Sequence, residues 1–313
     1  MGSAQSSSSA GLIQSPPDKQ AAKVAPFLRA NHKFSIVQAH DKPNASSQQL
    51  TAAAFLAVEP VSLLFDLWDL LSQQATIEVR DNEEMDEIVT TSWQDYLGVL
   101  DRSDAYVNFF DDEVVRYLYE TEQTVKAYLA ESQIQAGLLA QNGWPLRQIA
   151  AGIEMRSQEV VTEGLAGTCA FYSVDLIDVM HKKPVKIEPD TVPTSLDGVR
   201  AARDMVIQQA MSRPEHCNHA VLQELVNLNS VGVLWRFLPA ADATRLWKAV
   251  LYRLGQAQRS ASTTSTGDAS AKNWQEIVHI ALTKKPELLD TLRLLKEHEQ
   301  YDPDSLIASR LLD

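Results

Sequence analysis

The chain has 313 residues, 41 acidic against 28 basic side chains, and a formal net charge of −13. Hydrophobic residues make up 45% and charged residues 22%, the proportions of a soluble globular protein. No run nears the roughly 18 apolar residues of a membrane span, and only 12 glycines leave few turns for an all-β fold. The start, Met1 to Ala10, is small and polar and does not resemble a secretory leader. Cys169 and Cys217 are the only cysteines, too few for a disulfide framework. A reducing compartment is therefore expected, with an intracellular location, cytoplasmic or nuclear.

The charge is not spread evenly. Residues 59–122 hold 17 acids and 3 bases, a net of −14, which leaves +1 for the rest of the chain. Duplex nucleic acid and anionic membrane surfaces both want the opposite sign.

In chain order, residues 1–45 read as a disordered tail, with a serine run at Ser6–Ser9 and no sustained apolar period. Helical signals begin at Ser47 and continue through Leu50–Val58. A second helix follows Glu59-Pro60, where Leu63, Leu64, Leu67, Trp68 and Leu71 share one face. Glu83 to Asp101 predicts a helix with Ile88, Trp93 and Leu97 in one stripe. Tyr106 to Leu129 predicts another. Asn142-Gly143-Trp144-Pro145 is a break signal. Leu146–Met155 and Ser157–Met180 are the next two helices. Gly164, Ala166, Gly167, Cys169 and Ala170 in the second predict a neighbour packed very close. After a proline-containing linker, His181 to Thr194, helices are expected at Ser195–Met211, Pro214–Val226, Ser230–Leu238 and Asp242–Gln258. Arg259–Ala271 reads as a loop, and the last helices are Asn273–Thr283, Pro286–Glu297 and Asp304–Leu312. Thr76–Val79 is the best strand candidate and is too short to found a sheet. About a dozen helices make an all-α protein.

Breaks near Gly143, Thr194, Ala240 and Pro286 recur every roughly 45 to 50 residues, close to the period of armadillo and HEAT repeats. Pro145 to Phe171 resembles an armadillo-type repeat through Glu159, Gly164, Leu165, Ala166 and Gly167. His219 to Leu238 is a looser second match. The Leu67-Trp68-Asp69 element resembles the serum-amyloid-A-like (synoviocyte-proliferation-associated) armadillo-fold family. This resemblance implies a protein-interaction scaffold without catalytic residues.

Candidate chemistry is sparse. His216, Cys217 and His219 in PEHCNH are metal-capable residue types, but no CxxC pair accompanies them, so a polar helix start is the expected reading. Asp66 and Asp69, or Asp111, Asp112 and Glu113, are read as solvated acids because no histidine lies nearby in sequence. No P-loop, GxGxxG, HExxH or GxSxG motif occurs.

The expected protein is thus an all-α, armadillo/HEAT-like solenoid: a tail at 1–45 and a repeat domain at 46–313, acidic over 46–142 and more regular over 143–313. Its expected role is a non-catalytic scaffold or adaptor, not an enzyme, with no cofactor and a basic protein partner. Partner-binding candidates are Glu83, Glu84, Asp86 and Glu87 for charge, and Trp235, Arg236 and Trp247 as anchors. One rival is a helical enzyme with an unrecognised site, which predicts a deep pocket with convergent polar groups; the main alternative is an all-α lipid-binding or transfer protein with an enclosed apolar pocket. QLTAAAFLAVEPVSLLFDLWD carries that resemblance, to a glycolipid-transfer fold.

Overall fold

The computed structural model describes residues 16, 18–74, 79–80, 87–181, 191–212, 218–261 and 274–297. Fourteen α-helices occur among them, so the all-α class holds. The only paired strands described are β1 (Val37–Gln38) and β2 (Lys42–Pro43), a two-residue antiparallel clip that the sequence did not suggest.

The expected tail is structured from residue 18 onward. Helix α1 (Asp18–Asn31) places Val24, Leu28 and Asn31 on one buried face. Spacings of four and then three residues, at about 3.6 residues per turn, bring these side chains into line, and the helix packs on α2 (Ser46–Leu56). Helix α3 is Ser62–Gln74. Residues 87–102 are not an α-helix, contrary to the stripe. They form two short 3-10 turns, Trp93–Tyr96 and Leu100–Arg102, and Tyr106 Oη of the following helix donates to the Trp93 carbonyl at 2.6 Å. The next run splits into α4 (Ser103–Arg116) and α5 (Thr121–Tyr128), followed by α6 (Ser132–Gly137).

Helix α7 (Ala140–Met155) begins with a left-handed bend at Gln141, Asn142 and Gly143. Gly143 is required there: its φ is +82°, and a Cβ would lie 2.4 Å from Asn227 Oδ1. Helix α8 (Gln158–Ala170) is entered through Ser157, whose side chain caps Val160 N. The small residues of α8 do admit a close neighbour. A Cβ on Gly164 would meet Ile149 at 2.6 Å, and one on Gly167 would meet the Trp144 ring at 2.3 Å. After α8 the chain bends by 105° into α9 (Asp175–His181), where one long helix was expected.

Helix α10 is Leu196–Met211. Helix α11 (His219–Leu234) runs through Asn227-Leu228-Asn229 without the expected break, with the Asn227 amide donating to the Asn142 carbonyl and Asn229 Oδ1 accepting from Arg203. Helices α12 (Ala240–Ala261), α13 (Trp274–Lys284) and α14 (Leu289–Glu297) complete the described chain. The expected helix Asp304–Leu312 and most of the Arg259–Ala271 loop lie outside the described residues. No single described helix is long and apolar enough to cross a membrane.

Two apolar cores result. The larger gathers α4–α8 and α10–α12 around the buried rings of Tyr106, Phe110, Trp144 and Trp247. The smaller joins α1, α2 and α3 to α13 and α14 through Leu28, Leu50, Leu67, Ile277 and Leu292. The chain's two described ends therefore meet, α14 on α2 and α13 on α3. In a solenoid each unit touches only its sequence neighbours. The described residues show no such stack: α8 sits at the centre and packs on α7, α4, α6, α5 and α1.

Candidate functional site

Where the two cores meet, α1, α2, α7 and α8 turn polar side chains inward. Asn31, Ser47, Gln48, Gln148 and Glu163 are all nearly or fully buried. Buried polar groups need partners, and here they find one another. Glu163 is 2% exposed and accepts three hydrogen bonds: Ser47 Oγ at 3.0 Å, Gln148 Nε2 at 2.6 Å, and His32 Nδ1 across 3.2 Å. Asn31 Nδ2 donates to Ser47 Oγ at 2.8 Å, and Asn44 Nδ2 donates to Asn31 Oδ1 at 3.1 Å.

His32 follows the last residue of α1 and spans the gap to α4. Its Nε2 lies 3.0 Å from Asp111 Oδ2, so both ring nitrogens face carboxylates. Burial works against charge on the ring, but the bonds to Asp111 and Glu163 outweigh it. Its pKa is pushed up to about 9, and the ring is an imidazolium at neutral pH. Exposure rises along the line, from 2% at Glu163 through 14% at His32 to 30% at Asp111, so the cluster reaches solvent at Asp111. Arg80 is brought alongside by its backbone N–H, which donates to the Lys33 carbonyl at 3.1 Å. Its Nη1 donates to Asn108 Oδ1 at 3.2 Å and stands 3.9 Å from Asp111 Oδ2. Three buried atoms of this cluster, Arg80 Nε, Asp111 Oδ1 and Gln148 Oε1, have no hydrogen-bond partner among the described residues.

A second polar cluster lies further along α7. Arg293 of α14 donates to Glu154 Oε2 at 2.6 Å and to Glu297 Oε1 at 2.7 Å, and its guanidinium lies 3.5 Å from the centre of the Phe55 ring. Arg147 donates to Gln48 Oε1 at 3.3 Å and to the Asn142 carbonyl and Asn227 Oδ1, both at 2.8 Å. A cavity of about 20 Å³, room for one water molecule, opens beside Arg147, Glu154, Asp290 and Arg293. Burial pushes Glu154 up to about 7 despite Arg293. Asp290 and Glu224 are raised for the same first reason.

The residues singled out from the sequence fall elsewhere. Glu83, Glu84 and Asp86 lie outside the described residues, as do His216 and Cys217, and Glu87 is exposed. Trp235 and Trp247 are buried core residues, edge to face at 5.8 Å, with Trp247 Nε1 donating to the Thr191 carbonyl at 2.8 Å. They line no open groove. Arg236 is one-third exposed, pairs with Glu122 and lies over Phe237. His219 is exposed at the first turn of α11. Asp111 is not a free solvated acid: its histidine lies 79 positions upstream. Among the described residues, no group of three or more His, Cys, Asp or Glu side chains is arranged to hold a metal ion. Both nitrogens of His32 are already engaged.

No curated protein matches the chain. The sequence profile of the questin oxidase-like family matches residues 30–281, which takes in His32, Asp111, Gln148 and Glu163 and stops short of α14. That match overturns the armadillo and serum-amyloid-A-like resemblance, which rested on small residues in a helix and one tripeptide. It also overturns the expectations of a non-catalytic scaffold and of a lipid-transfer protein, because the family is named for an oxidase. The match covers the greater part of the chain, and the protein belongs to the questin oxidase-like family.

Proposed function

We propose that this protein is an oxidoreductase of the questin oxidase kind, with the His32 cluster as its proton-handling centre. Family membership supports the reaction class. One observation carries the assignment of the site: His32 is held through both nitrogens between Asp111 and Glu163, at the junction of α1, α4 and α8. Oxidation of an organic substrate removes electrons to an acceptor, which for an oxidase is dioxygen, and leaves protons that a nearby group must hold. Glu163, fixed by Ser47 and Gln148, orients the ring and keeps the proton on Nδ1. The Nε2–Asp111 edge is the one solvent can reach, so proton exchange with a substrate would run there. Unpartnered buried atoms on Arg80 and Asp111 also favour this edge, since a structural ion cluster normally satisfies its members.

Questin is the first substrate to try. The wild-type protein, in an undialysed lysate that supplies any diffusible cofactor, should consume questin with uptake of dioxygen. His32→Gln, which keeps one ring-sized donor but no imidazolium, should lower kcat by 100-fold or more. Failure of the wild-type protein to consume questin would contradict the substrate reading. Full activity in His32→Gln would contradict the site.

A further inference from the structure

The second cluster has no part in that reading, and it raises a separate question: what a buried, acid-rich contact does at the end of the described chain. Helix α14 seats on α2 through Leu289, Leu292 and Leu295, and also meets α11, where Leu294 joins the larger core. It also carries Asp290, Arg293 and Glu297 into the space against α7. There a single guanidinium bonds two carboxylates, Glu154 and Glu297, and Asp290 lines the same water-sized cavity. The facing groups are Arg147 and Glu154 from α7, uncharged Gln48 and the Phe55 ring from α2, and uncharged Asn229 and Ser230 from α11. Arg147 is already committed to Gln48, Asn142 and Asn227. Those partners are uncharged, so Arg147 still acts on Asp290; even so, three carboxylates outnumber the two guanidiniums, and enclosure by Ala150, Ala151 and Leu294 disfavours their charge.

We propose that α14 is a pH-sensitive closure: it seats most tightly when Glu154 holds a proton, and it opens more readily as that proton is lost. Lifting α14 exposes Glu154 to water, where its affinity for a proton falls to that of an ordinary glutamate. The seated form therefore binds more protons than the opened form. By linkage, acid favours the seated form and alkali the opened one. This runs against a simple salt-bridge latch, in which protonating Glu154 would release Arg293. Here Arg293 keeps Glu297, and relief of a buried charge is the larger effect. Burial raises Glu154 to about 7, so the transition falls near neutral pH. Asp290 is shifted in the same direction and for the same cause, so it reinforces the sign. Lys296 adds a further tie from α14 to the Phe55 and Leu56 carbonyls.

The test is amide hydrogen exchange of the full chain, read on peptides from 289–297 and corrected for the intrinsic effect of pH. Between pH 5 and pH 8 the opening constant of α14 should rise roughly 70-fold, from the displacement of Glu154 alone. Peptides from α8 should show no comparable change. In Glu154→Gln, which keeps the shape and hydrogen bonding, the rise should shrink to a few-fold. A flat wild-type profile, a fall in opening with pH, or a full rise retained in Glu154→Gln would each overturn the proposal.

Discussion

Around His32 one cation sits between two carboxylates, and around Arg293 one cation also bonds two, yet the two clusters hold their mobile proton on opposite partners. At His32 the cation itself is titratable, and Asp111 and Glu163 drive the proton onto the ring. At Arg293 the cation cannot give up its proton, so the buried carboxylate of Glu154 takes one instead. Both clusters are therefore favoured by acid and weakened by alkali, but one because a charged ring loses its proton and the other because a buried carboxyl gains a charge. Enclosure differs too. The first cluster grades from buried Glu163 to Asp111, which is 30% exposed, as the proposed proton exchange with a substrate requires. The second is closed by α14.

The contrast can be broken by mutation. Glu163→Ala should have the largest effect, a loss of about 3–5 kcal/mol in chemical denaturation at pH 7, because it strips one partner from a buried ion cluster and leaves the Ser47 hydroxyl and the Gln148 amide without their acceptor. Next comes the pH dependence of stability. The folded pKa of His32 is raised, so its contribution is fully present below about 6.5 and lost as pH rises through about 9, with a ceiling near 3 kcal/mol. Denaturation series from pH 6 to 10 should show that loss in the wild-type protein and not in His32→Gln. Arg293→Met should follow, costing about 3 kcal/mol at pH 8 but nearer 1 at pH 6, where Glu154 is already largely neutral. Equal losses at both pH values would erase the distinction between the clusters. Arg236→Gln, at the exposed Glu122 pair, should change stability by no more than about 0.5 kcal/mol.

The helical class was legible because apolar residues recur at helical spacing in α2, α3, α7, α10 and α12, and small residues in α8 announced a close neighbour. The architecture was not, because nothing local indicates that α14 returns to α2. The site was missed for a related reason. His32 sits in a stretch read as tail, where Val24 and Leu28 are too few to declare a buried face alone. Asp111 looked solvated because its histidine is distant in sequence. A usable signal did exist: Gln148 interrupts the apolar run LRQIAAGI, and Glu163 interrupts VVTEGLAG. A polar residue on an otherwise apolar helix is one that must find a buried partner.

The central claim is that the His32 ring is a buried imidazolium bound through both nitrogens. The direct measurement is a nitrogen-15 NMR titration of histidine-labelled protein, with His32 identified among the 7 histidines by its loss in His32→Gln. The account predicts both ring nitrogens protonated at neutral pH and a midpoint near 9. A midpoint at or below about 6.5, the value of a free imidazole, would contradict it.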